Sequence, residues 1–393
     1  MKTWWIILQI VISLPLWYPG LLLFIASLRK SFLSKKAAAI NTEETDFAII
    51  VTAYEQFDLV DDVVFSILNN VYSNYIIYIV ADKCNIDNIR YDSEKVVLLR
   101  PPNVLGSNIR SHFYAIENFK RAHKAITIID SDNMVHKSYL HHINEMFKAG
   151  HNAIQGVRAA RNLNTFYARL DEAGDMYYRF IDRKLLFEAG SSSSLAGSGM
   201  AFNTNLYIAC MKGHDKTGAG FDKLLQYELV KRNEKIAFCE NAIVYDGKTA
   251  QSDQLVKQRA RWINTWFRFW ILAIKLFFQS LIKISWNRFA FSLMLLRPPI
   301  FIVAFISAIF ITLSAIMQPV GLYVWGGAIL IFVITFFCAL FYFKAPKSIY
   351  RALVKIPYFI YCQIMALLKV RVANKLSVAT KHDATAYTKE IKK

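Results

Sequence analysis

The sequence predicts an α/β protein with a mainly parallel sheet, joined to interfacial helices and about three transmembrane helices. Between residues 45 and 262, short runs of apolar and β-branched residues alternate with helical periodicities, which is typical of a sheet with helical crossovers. Three long uncharged segments lie outside this region and are long enough to cross a bilayer. Hydrophobic residues make up 55% of the 393 residues and aromatic residues 15%, more than an ordinary soluble enzyme carries.

The formal net charge of +18 predicts anionic partners such as phospholipid headgroups or nucleotide phosphates. Nucleic acid is not an expected partner, because the basic residues cluster beside apolar segments and no nucleic-acid-binding module is recognisable. The five cysteines are scattered, odd in number and without metal spacing. They indicate free thiols in a reducing compartment.

The first segment, residues 1–30, is predicted to be an uncleaved membrane anchor. Residues 4–28 carry no charge, and Arg29, Lys30, Lys35 and Lys36 follow them. A cleaved signal peptide would have its positive charges mainly before the apolar region. The positive-inside bias then places the amino terminus outside and the next part of the chain in the cytosol.

Residues 45–262 are predicted to form the α/β domain. Strands are expected at residues 47–54, 75–82, 96–99, 125–129, 153–160 and 235–245, and helices at residues 58–70, 108–122, 139–149 and 166–188. The right-handed crossovers of a parallel sheet bring the carboxyl ends of its strands to one edge. Asp82, Asp130 and Asp132 should therefore lie along the edge where open α/β sheets bind their ligands.

The strand over residues 125–129 ends in two carboxylates, Asp130 and Asp132, one residue apart. Two carboxylates so close repel each other unless a cation or a set of donors neutralises them. The expected cation is Mg²⁺ or Mn²⁺, which takes one or two protein carboxylates and fills its other positions with water and phosphate oxygens. A helix cap followed by a solvated loop is the alternative, and several aspartates at one edge favour the site.

Two later features complete the predicted site. Residues 190–200 are rich in Gly and Ser, which indicates either a flexible linker or, as preferred here, a loop whose backbone approaches a ligand closely. Asp222 opens a predicted helix, where it is either a functional acid or an acid stabilised by the helix dipole.

The carboxyl-terminal part is predicted to lie on and in the membrane. Residues 263–288 mix large aromatic residues with regularly spaced cations and are expected to form interfacial amphipathic helices. Residues 289–343 hold two uncharged stretches separated by Gln318 and Pro319, which predicts a transmembrane hairpin. Residues 344–393 are expected to form an interfacial helix and a basic cytosolic tail.

Taken together, four features resemble the membrane-embedded glycosyltransferase family 2 enzymes, the group of the cellulose and hyaluronan synthases. They are Asp82, Asp130-Ser131-Asp132, Asp222 and Gln258-Arg259-Ala260-Arg261-Trp262, and their order and spacing match across residues 47–262. The resemblance implies a GT-A fold with a Rossmann-like sheet, a nucleotide-sugar donor that is usually a UDP-sugar, a divalent cation (Mg²⁺ or Mn²⁺) and inversion at the anomeric carbon.

The resemblance also implies a role for each matching residue. Asp222 would be the catalytic base and Asp132 the metal ligand. The implied donor-binding residues are Thr52, Ala53, Tyr54, Glu55, Asp82, Asp130, Gln258 and Arg261. The implied acceptor-binding residues are Gly197, Ser198, Gly199 and Trp262. From the residue type alone, Trp262 is equally well explained as a membrane-interface anchor.

Three positions depart from the family pattern. Phe221 stands where the family commonly has an acid before the base, and Gly106-Ser107 stand where a lysine is often found. Residues 378–382, Val-Ala-Thr-Lys-His, only loosely match the segment that closes over the nucleotide in the family.

The expected function is therefore metal-dependent, inverting transfer of a sugar from a cytosolic nucleotide-sugar to a growing polysaccharide. The expected location is the inner or plasma membrane, with the catalytic domain in the cytosol. Transfer of one sugar to a lipid acceptor is the alternative within the enzyme class. The alternative from another class is a non-catalytic membrane subunit that binds a nucleotide-sugar. The lipid bilayer is an expected partner, and a homo-oligomer or an association with a synthase as its accessory subunit is compatible with the sequence.

Overall fold

A computed structural model describes residues 2–32, 44–214 and 220–369. The described chain divides into two compact units. We call residues 44–163, 192–214 and 220–249 the sheet unit, and residues 2–32, 164–191 and 250–369 the helical unit. The basic tail beyond residue 369, with the loosely matching residues 378–382, lies outside the described residues.

The sheet unit is organised around eight strands. They are β1 (Phe47–Tyr54), β2 (Tyr75–Asp82), β3 (Val96–Leu99), β4 (Ala125–Asp130), β5 (Met134–Val135), β6 (Ala153–Ala160), β7 (Met200–Asn203) and β8 (Ile236–Asp246). Six of them agree closely with the predicted strands, whereas β5 and β7 were not predicted. The spatial order is β3-β2-β1-β4-β7-β6-β8-β5. β3, β2, β1 and β4 run parallel, as do β6 and β8, whereas β7 is antiparallel to both of its neighbours and β5 is antiparallel to β8.

The helices of the described chain are α1 (Lys2–Phe32), α2 (Val60–Leu68), α3 (Asn108–Glu117), α4 (Tyr139–Lys148), α5 (Phe166–Tyr178), α6 (Leu186–Glu188), α7 (Thr204–Met211), α8 (Phe221–Lys231), α9 (Ser252–Ile282), α10 (Trp286–Leu296), α11 (Ile300–Met317), α12 (Val320–Tyr342), α13 (Lys347–Ala352) and α14 (Ile356–Leu368). A π-helical turn, Arg179–Leu185, joins α5 to α6, and a 3₁₀ turn, Leu353–Lys355, joins α13 to α14.

The apolar runs of the sequence form the centre of the sheet because these strands are covered on both faces. All residues of β2 are buried, and so are the first five of β1 and of β4. One predicted boundary is wrong: α3 ends at Glu117 instead of residue 122. Beyond that end, the backbone N–H of Lys120 donates to the Tyr78 hydroxyl at 2.9 Å, a bond that takes the place of a further helical turn.

Among the described residues, five helical segments are long and apolar enough to cross a membrane: Thr3–Ser31, Ser252–Ile282, Ile300–Met317, Val320–Tyr342 and Lys347–Leu368. The first, third and fourth correspond to the predicted anchor and hairpin. The other two are the segments predicted to lie at the interface, so length and apolarity allow two more spans than the sequence predicted. Their placement on or across the bilayer stays a prediction.

Within the helical unit, one buried amide joins three of the apolar helices. The Gln9 Oε1 of α1 accepts hydrogen bonds from Ser314 Oγ of α11 at 2.7 Å and from Trp325 Nε1 of α12 at 2.9 Å. Gly321 leaves room for this amide, because a Cβ there would lie 2.4 Å from Gln9 Oε1. Such polar contacts are one of the ways in which helices associate in lipid.

Candidate active site

The carboxyl ends of the central strands place the predicted aspartates along one edge of the sheet. In the parallel register, Tyr54 pairs with Asp82 and Thr52 pairs with Asp130. The end of β1, with Thr52 to Glu55, therefore lies between Asp82 on one side and Asp130 on the other. This arrangement confirms the convergence expected from the strand pattern.

Four carboxylates influence one another around the end of β4. Burial, against the opposing charge of Arg158 and together with the negative charges of Asp132, Asp246 and Asp222, raises the pKa of Asp130 to about 7. Burial is the largest of these causes, and the three neighbouring carboxylates act in the same direction. A divalent cation or another positive group placed beside Asp130 and Asp132 would favour the charged form of both.

Arg158 and Asp246 belong to this group but were missed from the sequence. Arg158 Nη2 lies 2.8 Å from Asp246 Oδ2, and Lys248 Nζ lies 3.4 Å from the same oxygen. Asn133 Nδ2 donates to Asp132 Oδ1 at 2.9 Å and to Asp246 Oδ1 at 3.3 Å. Asp246 ends β8 as Asp82 ends β2, so the same strand-end signal could have found it.

Hydrogen bonds hold the Gly-rich loop against the end of β4. Ser198 Oγ accepts a hydrogen bond from the Asp130 backbone N–H at 3.0 Å, and the Gly199 N–H donates to Ile128 O at 3.0 Å. Arg158 Nη1 donates to Ala196 O at 2.6 Å. Gly197 and Gly199 have positive φ angles of 88° and 66°, which glycine adopts readily. The predicted acceptor loop is therefore a fixed part of this edge, and the flexible-linker alternative is wrong for residues 196–199.

A third glycine, Gly156 in β6, lets the neighbouring strand and the loop pack closely together. A Cβ at Gly156 in β6 would lie 2.4 Å from Ala242 O of β8 and 3.1 Å from Gly199 O. Beside it, the buried Gln155 side chain donates to Ser198 O at 3.1 Å and accepts from the Ala196 N–H at 2.8 Å. Neither residue was singled out from the sequence, because both look like ordinary strand positions.

Asp222 lies in the first turn of α8, and its side chain is 16% exposed. Its Oδ2 lies 3.3 Å from Lys223 Nζ, which also donates to Leu195 O at 3.1 Å. The preceding Phe221 is buried, and its ring packs edge-on against His112 of α3 with 5.1 Å between centroids. Burial lowers the pKa of His112 to about 3, so this ring is neutral. An apolar contact thus stands where the family commonly has an acid.

Asp82 is almost fully buried and is already hydrogen-bonded within the protein. Its two carboxylate oxygens accept from the backbone N–H groups of Leu105 at 2.9 Å and Gly106 at 2.7 Å. The turn needs a glycine, because φ at Gly106 is 57°. Ser107, which follows, caps α3 by accepting from the Arg110 N–H. These bonds explain the Gly-Ser pair found in place of a lysine, and the donor-binding role of Asp82 stays a prediction.

The residues at the end of β4 fit a divalent cation that is shared with a phosphate-bearing substrate. Within the described residues, no three His, Cys, Asp or Glu side chains are grouped so as to hold a metal ion by themselves. Mg²⁺, however, is usually bound by one or two carboxylates and completed by waters and substrate phosphates. Asp130 and Asp132 at the end of β4 are the two carboxylates that could serve in this way.

Gln258, Arg261 and Trp262 lie near the start of α9 in the helical unit. Trp262 is 47% exposed. The residue between them in the motif, Arg259, forms an ion pair with Asp171 of α5. Contacts of these residues with donor and acceptor stay predictions.

Comparisons with known proteins identify a family and a similar fold. The family model described as glycosyltransferase like family 2 matches residues 45–265. Among solved structures, a mannosyltransferase from Pyrobaculum calidifontis in complex with GDP-Man and Mn²⁺ is 13% identical with a TM-score of 0.53, covering 92% of this chain and 99% of that one. TarS residues 1–349 from S. aureus is 12% identical with a TM-score of 0.42, covering 84% of this chain and 90% of that one. No curated protein matches the chain significantly in sequence.

The mixed sheet with its flanking helices and the family match together define a glycosyltransferase of the GT-A class. The chain belongs to the glycosyltransferase-like family 2, whose model covers more than half of its residues.

Proposed function

We propose that this glycosyltransferase moves a sugar from a cytosolic nucleotide-sugar, with a divalent cation and inversion at the anomeric carbon, onto a growing polysaccharide at the membrane. The acidic cluster at the end of β4 is the observation that carries the proposal. Its clustered carboxylates suit a divalent cation that also binds a diphosphate, and the loop of residues 196–199 borders it.

The proposed chemistry needs a base on one side of the anomeric carbon and a stabilised diphosphate on the other. Asp222 is accessible and would accept the proton of the attacking hydroxyl. Asp130 and Asp132 would orient the donor through its cation, and Arg261 would bind the diphosphate with the planar donors of its guanidinium. When bound, Mg²⁺ or Mn²⁺ would stabilise the negative charge of the leaving group.

The nucleotide is proposed to be uridine diphosphate, on the resemblance to the cellulose and hyaluronan synthases. The similar mannosyltransferase from Pyrobaculum calidifontis is a complex with GDP-Man and Mn²⁺, so GDP-mannose is the second donor to test. Five helical segments are long and apolar enough to cross a membrane, which supports an acceptor located at the membrane.

Two alternatives remain to be tested, one within the enzyme class and one outside it. Transfer of one sugar to a lipid acceptor is favoured if only the predicted anchor and hairpin cross the bilayer, since three spans would make a narrow channel for a polysaccharide. A non-catalytic nucleotide-sugar-binding subunit would keep the fold, but it would have no need for the repulsive carboxylates around Asp130.

The test is nucleotide release by the full-length protein in detergent, with Mn²⁺ or Mg²⁺, against UDP-glucose, UDP-N-acetylglucosamine, UDP-glucuronate and GDP-mannose. A metal-dependent product of high molecular mass is the expected result. A small lipid-extractable product would replace the polysaccharide with a lipid acceptor. Binding of the donor without turnover, in wild-type protein and in Asp132→Asn alike, would refute the enzymatic proposal.

A further inference from the structure

Arg259 occupies a buried junction of three helices in the helical unit. It is only 9% exposed, and its guanidinium forms an ion pair with Asp171 of α5, which is 4% exposed. The same guanidinium lies 4.4 Å from the ring centroid of Trp262 in α9 and 5.5 Å from that of Phe359 in α14.

We propose that Arg259 is a positioning residue that fixes the indole of Trp262 for the acceptor sugar, with Asp171 holding the guanidinium in place. The inference rests on the proposed function, because the acceptor role of Trp262 belongs to it. Arg259 does not touch the reacting atoms. It acts through the tryptophan.

The geometry gives a physical reason for this role. Trp262 is 47% exposed, so much of its ring surface is available to a ligand, while a cation supports it from the protein side. Cation–π contacts are stronger where the cation is removed from water, as Arg259 is. A guanidinium is planar, delocalised and weakly hydrated, which allows it to lie against a ring and bind a carboxylate at the same time.

Fixing the indole before the acceptor arrives lowers the entropy that is lost on binding. Loss of this support should therefore weaken capture of the acceptor and leave reaction of the donor intact. In a glycosyltransferase the two can be separated, because a donor that finds no acceptor is hydrolysed by water. The share of donor turnover that ends as free sugar thus reports on the acceptor side alone.

The test uses Arg259→Lys in full-length protein, assayed in membranes of the producing cells with the donor that the wild type uses. Lysine keeps the charge for Asp171 but loses the planar contact with the ring. We expect the ratio of hydrolysis to transfer to rise about tenfold, equivalent to about 1.4 kcal/mol in acceptor binding. Total nucleotide release at saturating donor should stay within about twofold of wild type.

Two matched controls separate positioning from general packing. Arg268→Lys makes the same exchange on the exposed side of α9, where Arg268 lies 5.8 Å from the Phe269 ring centroid. Phe359→Leu removes the second ring beside Arg259 without touching Trp262. Both should keep the wild-type ratio. In the background of Trp262→Ala, Arg259→Lys should add no further change.

The other possible results would each overturn the inference on Arg259 or the proposed function. A wild-type ratio in Arg259→Lys would overturn the inference while transfer by the wild type upheld the proposed function. Equal loss of hydrolysis and transfer, or loss of the wild-type elution volume in size exclusion, would make Arg259 a structural cross-link and also overturn it. Absence of transfer by the wild type with every donor would refute the proposed function itself, and the inference with it.

Discussion

Replacing Asp130 with asparagine should stabilise the protein in the absence of divalent cations. The pKa of this carboxyl is raised from 3.8 to about 7 by burial and by the neighbouring Asp132, Asp246 and Asp222. In the unfolded chain the group loses its proton near pH 4, whereas in the folded protein it keeps the proton up to about pH 7. Folding therefore becomes less favourable as the pH rises between these two values.

The magnitude follows from the size of the shift. A difference of about three pKa units, at about 1.4 kcal/mol each, gives an upper limit of about 4 kcal/mol at pH 8. Asparagine carries no charge at any pH, so the advantage of Asp130→Asn should be small at pH 4, grow up to pH 7 and then level off. For a unit of this size, about 4 kcal/mol corresponds to a rise in melting temperature of roughly 8–16 °C, and part of that rise is expected.

The assay is thermal unfolding of the detergent-purified protein with EDTA from pH 4 to pH 8. Asp92→Asn, in an exposed loop, is the matched control and should leave the melting temperature unchanged. Added Mn²⁺ should stabilise the wild type more than Asp130→Asn. An advantage that does not vary with pH, or a variant less stable than wild type at pH 8, would refute the argument that repulsion and burial shape this site.

Three further predictions test the site and its support. Asp222→Asn should lower transfer at least about 100-fold, as expected when a general base is removed, with donor affinity retained in calorimetry; near-normal turnover would remove Asp222 from the mechanism. Gly156→Ala should destabilise by about 2–3 kcal/mol, since its Cβ would press on Ala242 O at 2.4 Å; an unchanged melting temperature would contradict the close packing. Arg297→Ala should lower the free energy of unfolding by about 3–5 kcal/mol, because the carboxylate of Asp182, 2.6 Å away, would lose its buried partner. A monodisperse variant with the melting temperature of the wild type would contradict this prediction.

The strands and the end of β4 could be predicted because their signals are local. Continuous apolar runs identify strands buried on both faces. An aspartate that directly follows such a run, as Asp82 and Asp130 do, must lie at the carboxyl end of the sheet. The bounds of β3 and β6 agree with the sequence to the residue.

Arg158 and Asp246 could not be paired from the sequence because the pair depends on the register between β6 and β8. In that register Ala160 lies beside Asp246, across a strand pair that shifts at residues 155–157. A change of one residue would turn these side chains to the opposite face of the sheet. The antiparallel β7 was missed as a strand for a related reason, since four residues that follow a Gly-rich loop give little periodicity to read.

Arg259 shows a different limit of predicting a site from the sequence. Within Gln258-Arg259-Ala260-Arg261-Trp262, the family pattern directs attention to Gln258, Arg261 and Trp262. It does not show that Arg259 meets Asp171, whose position in α5 gives no hint of the contact. Only the folded helical unit brings the two together.

The continuity of α9 makes the motif sensitive to helical phase. The helix runs without interruption over Ser252–Ile282, about 46 Å, and carries the motif near one end and the buried Ala273 and Leu276 farther along. Each inserted residue would turn Trp262 by about 100° relative to these two anchors, whereas seven inserted residues would return it to within about 20° of its original direction. The number of residues between Trp262 and these two anchors can therefore change only by nearly whole helical turns if the direction of the indole is to be kept, whatever the identity of the residues in between.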